Sequence, residues 1–199
     1  PQPLMKEVKM PFDLVLRSIF SAAFLASVLR ISTPLILPAL GGLITDLSGA
    51  VNIALEGIML TSAFTGVVVS AYSNSIFLGV LAGVASGILI SFILGWFHLY
   101  LETDIILAGI AINILATGGT IFLLYVLTGD KGNSQSLASG RVPNINLPLI
   151  EDIPFIGRVI SGQHIFVWLA FILTWLVSIY LYKTRWGAPL RAVGENPEA

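Results

Sequence analysis

Two long stretches of this chain carry no formal charge. From Gly57 to Phe97, and again from Ile105 to Gly129, there is no Asp, Glu, Lys or Arg. A helix rising about 1.5 Å per residue needs roughly 20 apolar residues to cross a hydrocarbon core of about 30 Å. The second stretch therefore fits one crossing. The first is too long for one, and Ala71-Tyr72-Ser73-Asn74-Ser75 near its middle is a polar break, so it predicts two helices. Ile165–Tyr182, with Trp168 and Trp175 inside it, predicts a further span, and Phe12–Leu29 a first one despite Asp13 and Arg17. Only 11% of residues are charged, against about 25% in a soluble domain, and mean hydropathy is +0.91. Together these predict an all-α fold, a polytopic membrane helical bundle.

The stretch from Ile31 to Glu56 does not match a plain span. It holds Pro34, Pro38, Gly41, Gly42, Asp46, Ser48, Gly49, Asn52 and Glu56. Irregular backbone at membrane depth persists only where protein or a wet cavity satisfies it, which predicts a broken or re-entrant helix near 31–56. Counting it as one crossing gives about six spans and puts both ends on one side. Lys6, Lys9 and Arg17 near the start, and Lys183, Arg185 and Arg191 near the end, then make that side cytoplasmic. Residues 130–164 become an extracytoplasmic loop.

Gly79, Gly83 and Gly87 recur every four residues, with Ala82 and Ser86 beside them, a pattern for close helix packing. Asn52 and Glu56 are four apart and would share a helical face, either lining a polar passage or pinning the broken helix. Asn113 and Thr117 have the same spacing in the middle of a span and the same two readings. His98 and His164 lack partners at ligand spacing, so no metal site is expected. A net charge of −1 gives no field to attract nucleic acid, and the absence of cysteine excludes disulfides and thiolate metal sites. No nucleotide-binding loop, catalytic elbow or zinc-protease pair is present, so no catalytic residues are expected. Only Asp46 and Glu56 are placed to act in an ion relay, which leaves an ion-coupled secondary transporter as a weaker alternative.

After the last span comes a basic cuff, Lys183 to Arg191, and then a helix-start pattern. Gly194 loosens the backbone, Asn196 suits an N-cap, Pro197 the first helical position, and Glu198 the positive end of the dipole. A helix starting just outside the membrane is a handle for a soluble partner. The chain begins with Pro1 and stops at Ala199 inside this pattern, so it is expected to be part of a longer protein.

Two motifs then converge. Leu40 to Leu60, with its core Val51-Asn52-Ile53-Ala54-Leu55-Glu56-Gly57 and then Met59-Leu60, resembles the signature of ABC-importer permeases for nucleosides and simple sugars, within the branched-chain amino acid/ribose permease superfamily. Trp186-Gly187 and Leu190-Arg191-Ala192-Val193-Gly194-Glu195-Asn196-Pro197-Glu198-Ala199 are similar to that family's cytoplasmic coupling segment, 183–199. Where the family often has Glu-Arg before the core, this chain has Thr45-Asp46 or Asp46-Leu47. The resemblance covers nearly the whole chain as a single transmembrane domain, 1–199.

The resemblance implies a permease subunit of an importer in the bacterial cell membrane, with no cofactor on this chain and ATP on a partner. It implies an ATP-binding subunit, a second permease subunit (identical or paralogous) and an extracytoplasmic substrate-binding lipoprotein, all in a lipid bilayer. Asn52, Glu56, Asn113 and Thr117 would then line the substrate pathway. Arg191, Gly194, Glu195, Asn196, Pro197 and Glu198 would couple to the ATPase. A branched-chain amino acid permease is the sister alternative.

Overall fold

The computed structural model describes residues 21–129, 134–145 and 159–196. Among these, six helices and one short hairpin-like sheet follow in order. They are α1 (Ala22–Leu47), α2 (Leu55–Ser73), α3 (Ile76–Tyr100), α4 (Ile105–Thr128), β1 (Asn144–Ile145), β2 (Gln163–His164), α5 (Ile165–Lys183) and α6 (Gly187–Glu195). The five helices α1 to α5 are long and apolar enough to cross a membrane. The all-α membrane bundle expected from the charge-free runs is therefore the fold.

Contacts group the residues into two units, one ending at Ile36 and including Pro143–Ile172, the other comprising Leu37–Val142 with Leu173–Ala199. In the first, β1 and β2 pair antiparallel, Asn144 opposite His164 and Ile145 opposite Gln163. Gln163 is 1% exposed. Its Nε2 donates to the carbonyls of Ala26, at 3.2 Å, and Val159, at 2.7 Å. That side chain ties the start of α5 to α1.

The second unit is built on α2, which packs against both α3 and α4. Asn74, in the left-handed region at φ 52°, ends α2, and Ser75 caps α3, so two residues reverse the chain. The expected glycine seam is the α2–α3 interface. A Cβ on Gly79 would sit 2.6 Å from Ser70 Cβ and 2.7 Å from the Gly66 carbonyl oxygen, and one on Gly83 would sit 3.0 Å from the Ser62 carbonyl oxygen. Backbones this close leave no room for larger residues and maximise van der Waals contact where lipid supplies no hydrophobic drive. Thr65 and Ser86 hydroxyls bridge the same seam at 2.7 Å. Asp104 caps α4 by accepting from the Ile106 and Leu107 amides, at 2.7 and 3.3 Å, and Gly129, at φ 76°, ends it.

The boundaries near the start differ from expectation. A first span ending at Leu29 and a separate irregular segment from Ile31 are replaced by one continuous helix, α1, running through Pro34, Pro38, Gly41 and Gly42. Proline fixes a helix-compatible φ but removes one hydrogen bond and crowds the carbonyl four residues back, and membrane helices absorb such losses locally. Irregular backbone within 31–56 is confined to residues 48–54. The part of the expected first span before Ser21, with Asp13 and Arg17, lies outside the described residues.

Candidate functional site

One end of the second unit gathers three features: the break between α1 and α2, the start of α4, and α6. The break begins with a helix stop. The Gly49 amide donates to the Asp46 carbonyl at 3.0 Å and the Ala50 amide to the Thr45 carbonyl at 3.0 Å. Gly49 itself has φ +85°. This is the double 5→2 and 6→1 closure of a Schellman motif, whose left-handed position favours glycine. Asn52 then folds back, its Oδ1 accepting from the Ala54 amide at 3.0 Å. The chain re-enters helix at Leu55, with Ala54 fully buried.

Helix α4 clamps this break. Asn113 Oδ1 accepts from the Gly57 amide at 2.7 Å, and its Nδ2 donates to the Ile53 carbonyl at 2.8 Å. One amide thus satisfies an orphan N–H in the first turn of α2 and a carbonyl just before it. Close approach makes this possible. A Cβ on Gly109 would lie 3.1 Å from the Ala54 nitrogen, and one on Gly57 would lie 2.9 Å from Asn113 Oδ1. Ala54, Ala108 and Leu94 form the small apolar cluster behind the clamp.

Helix α6 meets the break from the other side. It follows α5 through a tight turn in which the Thr184 hydroxyl donates to the Tyr180 carbonyl at 2.6 Å and accepts from the Gly187 amide at 3.3 Å. A Cβ on Gly187 would overlap the Tyr180 and Leu181 carbonyl oxygens, so only glycine allows the reversal. Arg191 is half-buried; its guanidinium lies 5.2 Å from the centroid of the Tyr182 ring, and its Nε donates to the Gly187 carbonyl at 3.4 Å. At the far end, a Cβ on Gly194 would overlap the Leu47 carbonyl oxygen and lie 3.0 Å from the Gly49 nitrogen. The outer side of α6 exposes Ala188, Pro189, Ala192, Val193 and Glu195.

The sequence-derived candidates separate accordingly. Asn52 and Glu56 do not share a helical face, because Asn52 lies in the break as a local cap while Glu56 is exposed in the first turn of α2. Asn113 is the clamp. Thr117 is exposed and its hydroxyl donates to the Asn113 carbonyl at 2.8 Å. A largely apolar cleft of about 750 Å³ among α2, α3 and α4 is lined by Phe64, Phe97 and Leu123 together with Thr61, Thr65, Thr103 and Thr120, and none of the four candidates lines it. At the C-terminal end, Arg191 packs inward while Glu195 faces out. A helix that the caps did not predict precedes them: Asn196 ends α6, its amide donating to the Ala192 carbonyl at 3.0 Å, and Gly194 sits inside this helix as a contact, not a loosened joint. Glycine and proline at 187 and 189 disguised this helix; Gly187 meets a steric demand and Pro189 falls in the first turn, where its missing N–H costs nothing. Pro197 and Glu198 lie outside the described residues. Sequence reasoning missed Gly49, Gly109 and Ile53; the Gly-after-helix pattern at Gly49 was the available signal. Among the described residues no group of three His, Asp or Glu side chains converges as a metal site would require.

Several apolar helices long enough to span, with the α1–α2 break clamped between α4 and the short α6, define a multi-pass membrane protein. Residues 24–199 match the family described as "Branched-chain amino acid transport system / permease component", and the chain belongs to that family. It is 35% identical over 181 residues to the nucleoside ABC transporter permease protein NupC of Lactococcus lactis, covering 87% of this chain and 56% of that protein. It is 34% identical over 175 residues to the guanosine ABC transporter permease protein NupQ of Bacillus subtilis, covering 84% and 54%. The putative glucose ABC transporter permease protein TsgC13 of Haloferax volcanii is 28% identical over 183 residues, covering 90% and 54%. The chain thus spans about half the length of the curated relatives it matches. No solved structure matches it at a significant level.

Proposed function

We propose that this chain is the transmembrane part of an ATP-driven importer, passing a nucleoside or a simple sugar. The observation that carries this is α6: a short helix fixed by Arg191, Gly187 and Gly194 to the chain's own turn and break, presenting small residues and Glu195 outward. Such a helix can be pushed by a soluble subunit and pass the displacement inward. The names of the nucleoside and sugar permeases it resembles support the substrate class. The partners follow from the family: an ATP-binding subunit on the α6 side, a second permease subunit, and an extracytoplasmic binding protein.

In this reading α6 faces the cytoplasm of a bacterial cell, which the basic cuff of Lys183, Arg185 and Arg191 supports. Five crossings counted from Ala22 place Ala22 outside when Lys183 is inside. Both ends of the chain facing the cytoplasm requires a sixth crossing from residues 1–20, which lie outside the described residues. Asn52, Glu56, Asn113 and Thr117 remain the proposed polar residues near the passage, with Asn52 and Asn113 shaping it through backbone.

Uptake by vesicles carrying the complete complex tests this. Guanosine or glucose uptake that needs ATP and the partner ATPase is the expected result. Uptake driven by an ion gradient without the ATPase supports a secondary transporter instead, and uptake of leucine alone supports the amino acid branch.

A further inference from the structure

Where α6 reaches the end of α1, backbone meets backbone. Gly194 lies against the Leu47 carbonyl and the Gly49 amide, and a Cβ on Gly49 would in turn lie 3.2 Å from Gly194 Cα. Both glycines are required for independent reasons: Gly49 by its left-handed φ of +85°, and Gly194 by the absence of any room for a side chain. Flexible side chains can give way at such a contact; backbone held in a Schellman closure cannot without breaking two hydrogen bonds. Three residues beyond Gly49, Asn52 turns the chain toward α2 by accepting from the Ala54 amide, and Ile53 and Gly57 are held by Asn113 of α4. A continuous rigid path therefore runs from α6 through the 47–54 segment to two membrane helices.

We propose that Gly194 and Gly49 form a zero-clearance junction that makes α6 and the α1–α2 break move as one body, so that Gly194 is a positioning residue for coupling. This rests on the reading of the chain as an ATP-driven permease. A displacement of α6 bears directly on the segment leading to Asn52, because Gly194 meets the backbone of Leu47 and Gly49 without an intervening side chain of its own. The Asn113 clamp then passes it to α4.

The test uses the complete complex. In Gly194→Ala, alanine is ordinarily the better helix former, so a loss can only come from the contact. The expected result is a complex that assembles and hydrolyses ATP, with solute carried per ATP reduced about tenfold, a coupling loss of ordinary size. Gly95→Ala, at a site with no neighbour within 4 Å, should leave that ratio unchanged. Normal coupling in Gly194→Ala with ATP-driven uptake intact defeats the junction alone. No ATP-driven uptake by the unmodified complex defeats the functional reading, and the inference with it.

Should Gly194→Ala fail to assemble, a cross-link decides. This sequence has no cysteine, so Ala50→Cys with Leu190→Cys, one helical turn before Gly194, places a pair beside the two glycines. A short bis-maleimide should join them in the assembled complex and leave coupled uptake intact. Failure to join, or loss of uptake on joining, overturns the proposal, since either means that the two surfaces are apart or must separate during the cycle.

Discussion

Removing the Asn113 side chain should destabilise the bundle by about 2–4 kcal/mol, and the origin of that figure is specific. Asn113→Ala deletes two hydrogen bonds, at 2.7 Å to the Gly57 amide and at 2.8 Å to the Ile53 carbonyl. Gly57 is buried against Ile112, so its N–H finds no replacement acceptor, a loss of about 1–3 kcal/mol. Ile53 is 36% exposed, so its carbonyl regains part of its solvation and contributes about 1 kcal/mol. Equilibrium unfolding of the purified protein in mixed micelles measures the sum. Asn113→Leu fills the vacated space without restoring either bond and should lose nearly as much, which separates hydrogen bonding from cavity formation. An Asn113→Ala protein within about 0.5 kcal/mol of wild type would refute the clamp, because surface-like tolerance is incompatible with an orphaned N–H at Gly57.

Other outcomes follow from the same geometry. Gly79→Ala should cost about 1–3 kcal/mol by overpacking the α2–α3 seam, while Gly118→Ala, with nothing within 4 Å, should be neutral or slightly stabilising in the same unfolding assay. Glu195→Ala should weaken co-purification with the ATP-binding subunit and leave the permease fold intact, because Glu195 is exposed. Arg191→Ala and Tyr182→Leu should each raise proteolysis of α6, and the double variant should add little, since one cation–π contact is lost in both cases. Glu56→Gln should insert and fold normally; a fall in uptake at unchanged expression would mark Glu56 as a pathway residue, and wild-type uptake would make it a spectator.

The charge-free runs, the Asn74-Ser75 reversal and the Gly79-Gly83-Gly87 seam were all legible in the sequence. Each depends on near neighbours along the chain: apolar length sets a span, a left-handed Asn and a capping Ser set a turn, and small residues at helical spacing mark a face that another backbone can reach. The prolines of α1 misled for the same reason. They weaken a helix locally, and only packing decides whether it continues. The helical 187–195 segment was hidden likewise, since its Gly and Pro carry opposite local signals from the structure they serve.

What the sequence determined by itself is that this chain must live in a membrane as helices and that it carries two family motifs. Which polar residues meet was decided only by tertiary structure. Asn113 reaches Gly57 and Ile53 across more than fifty residues, and Gly194 reaches Leu47 and Gly49 across the length of the unit. Such contacts are set by how closely two backbones approach, and no spacing along a single segment encodes that distance.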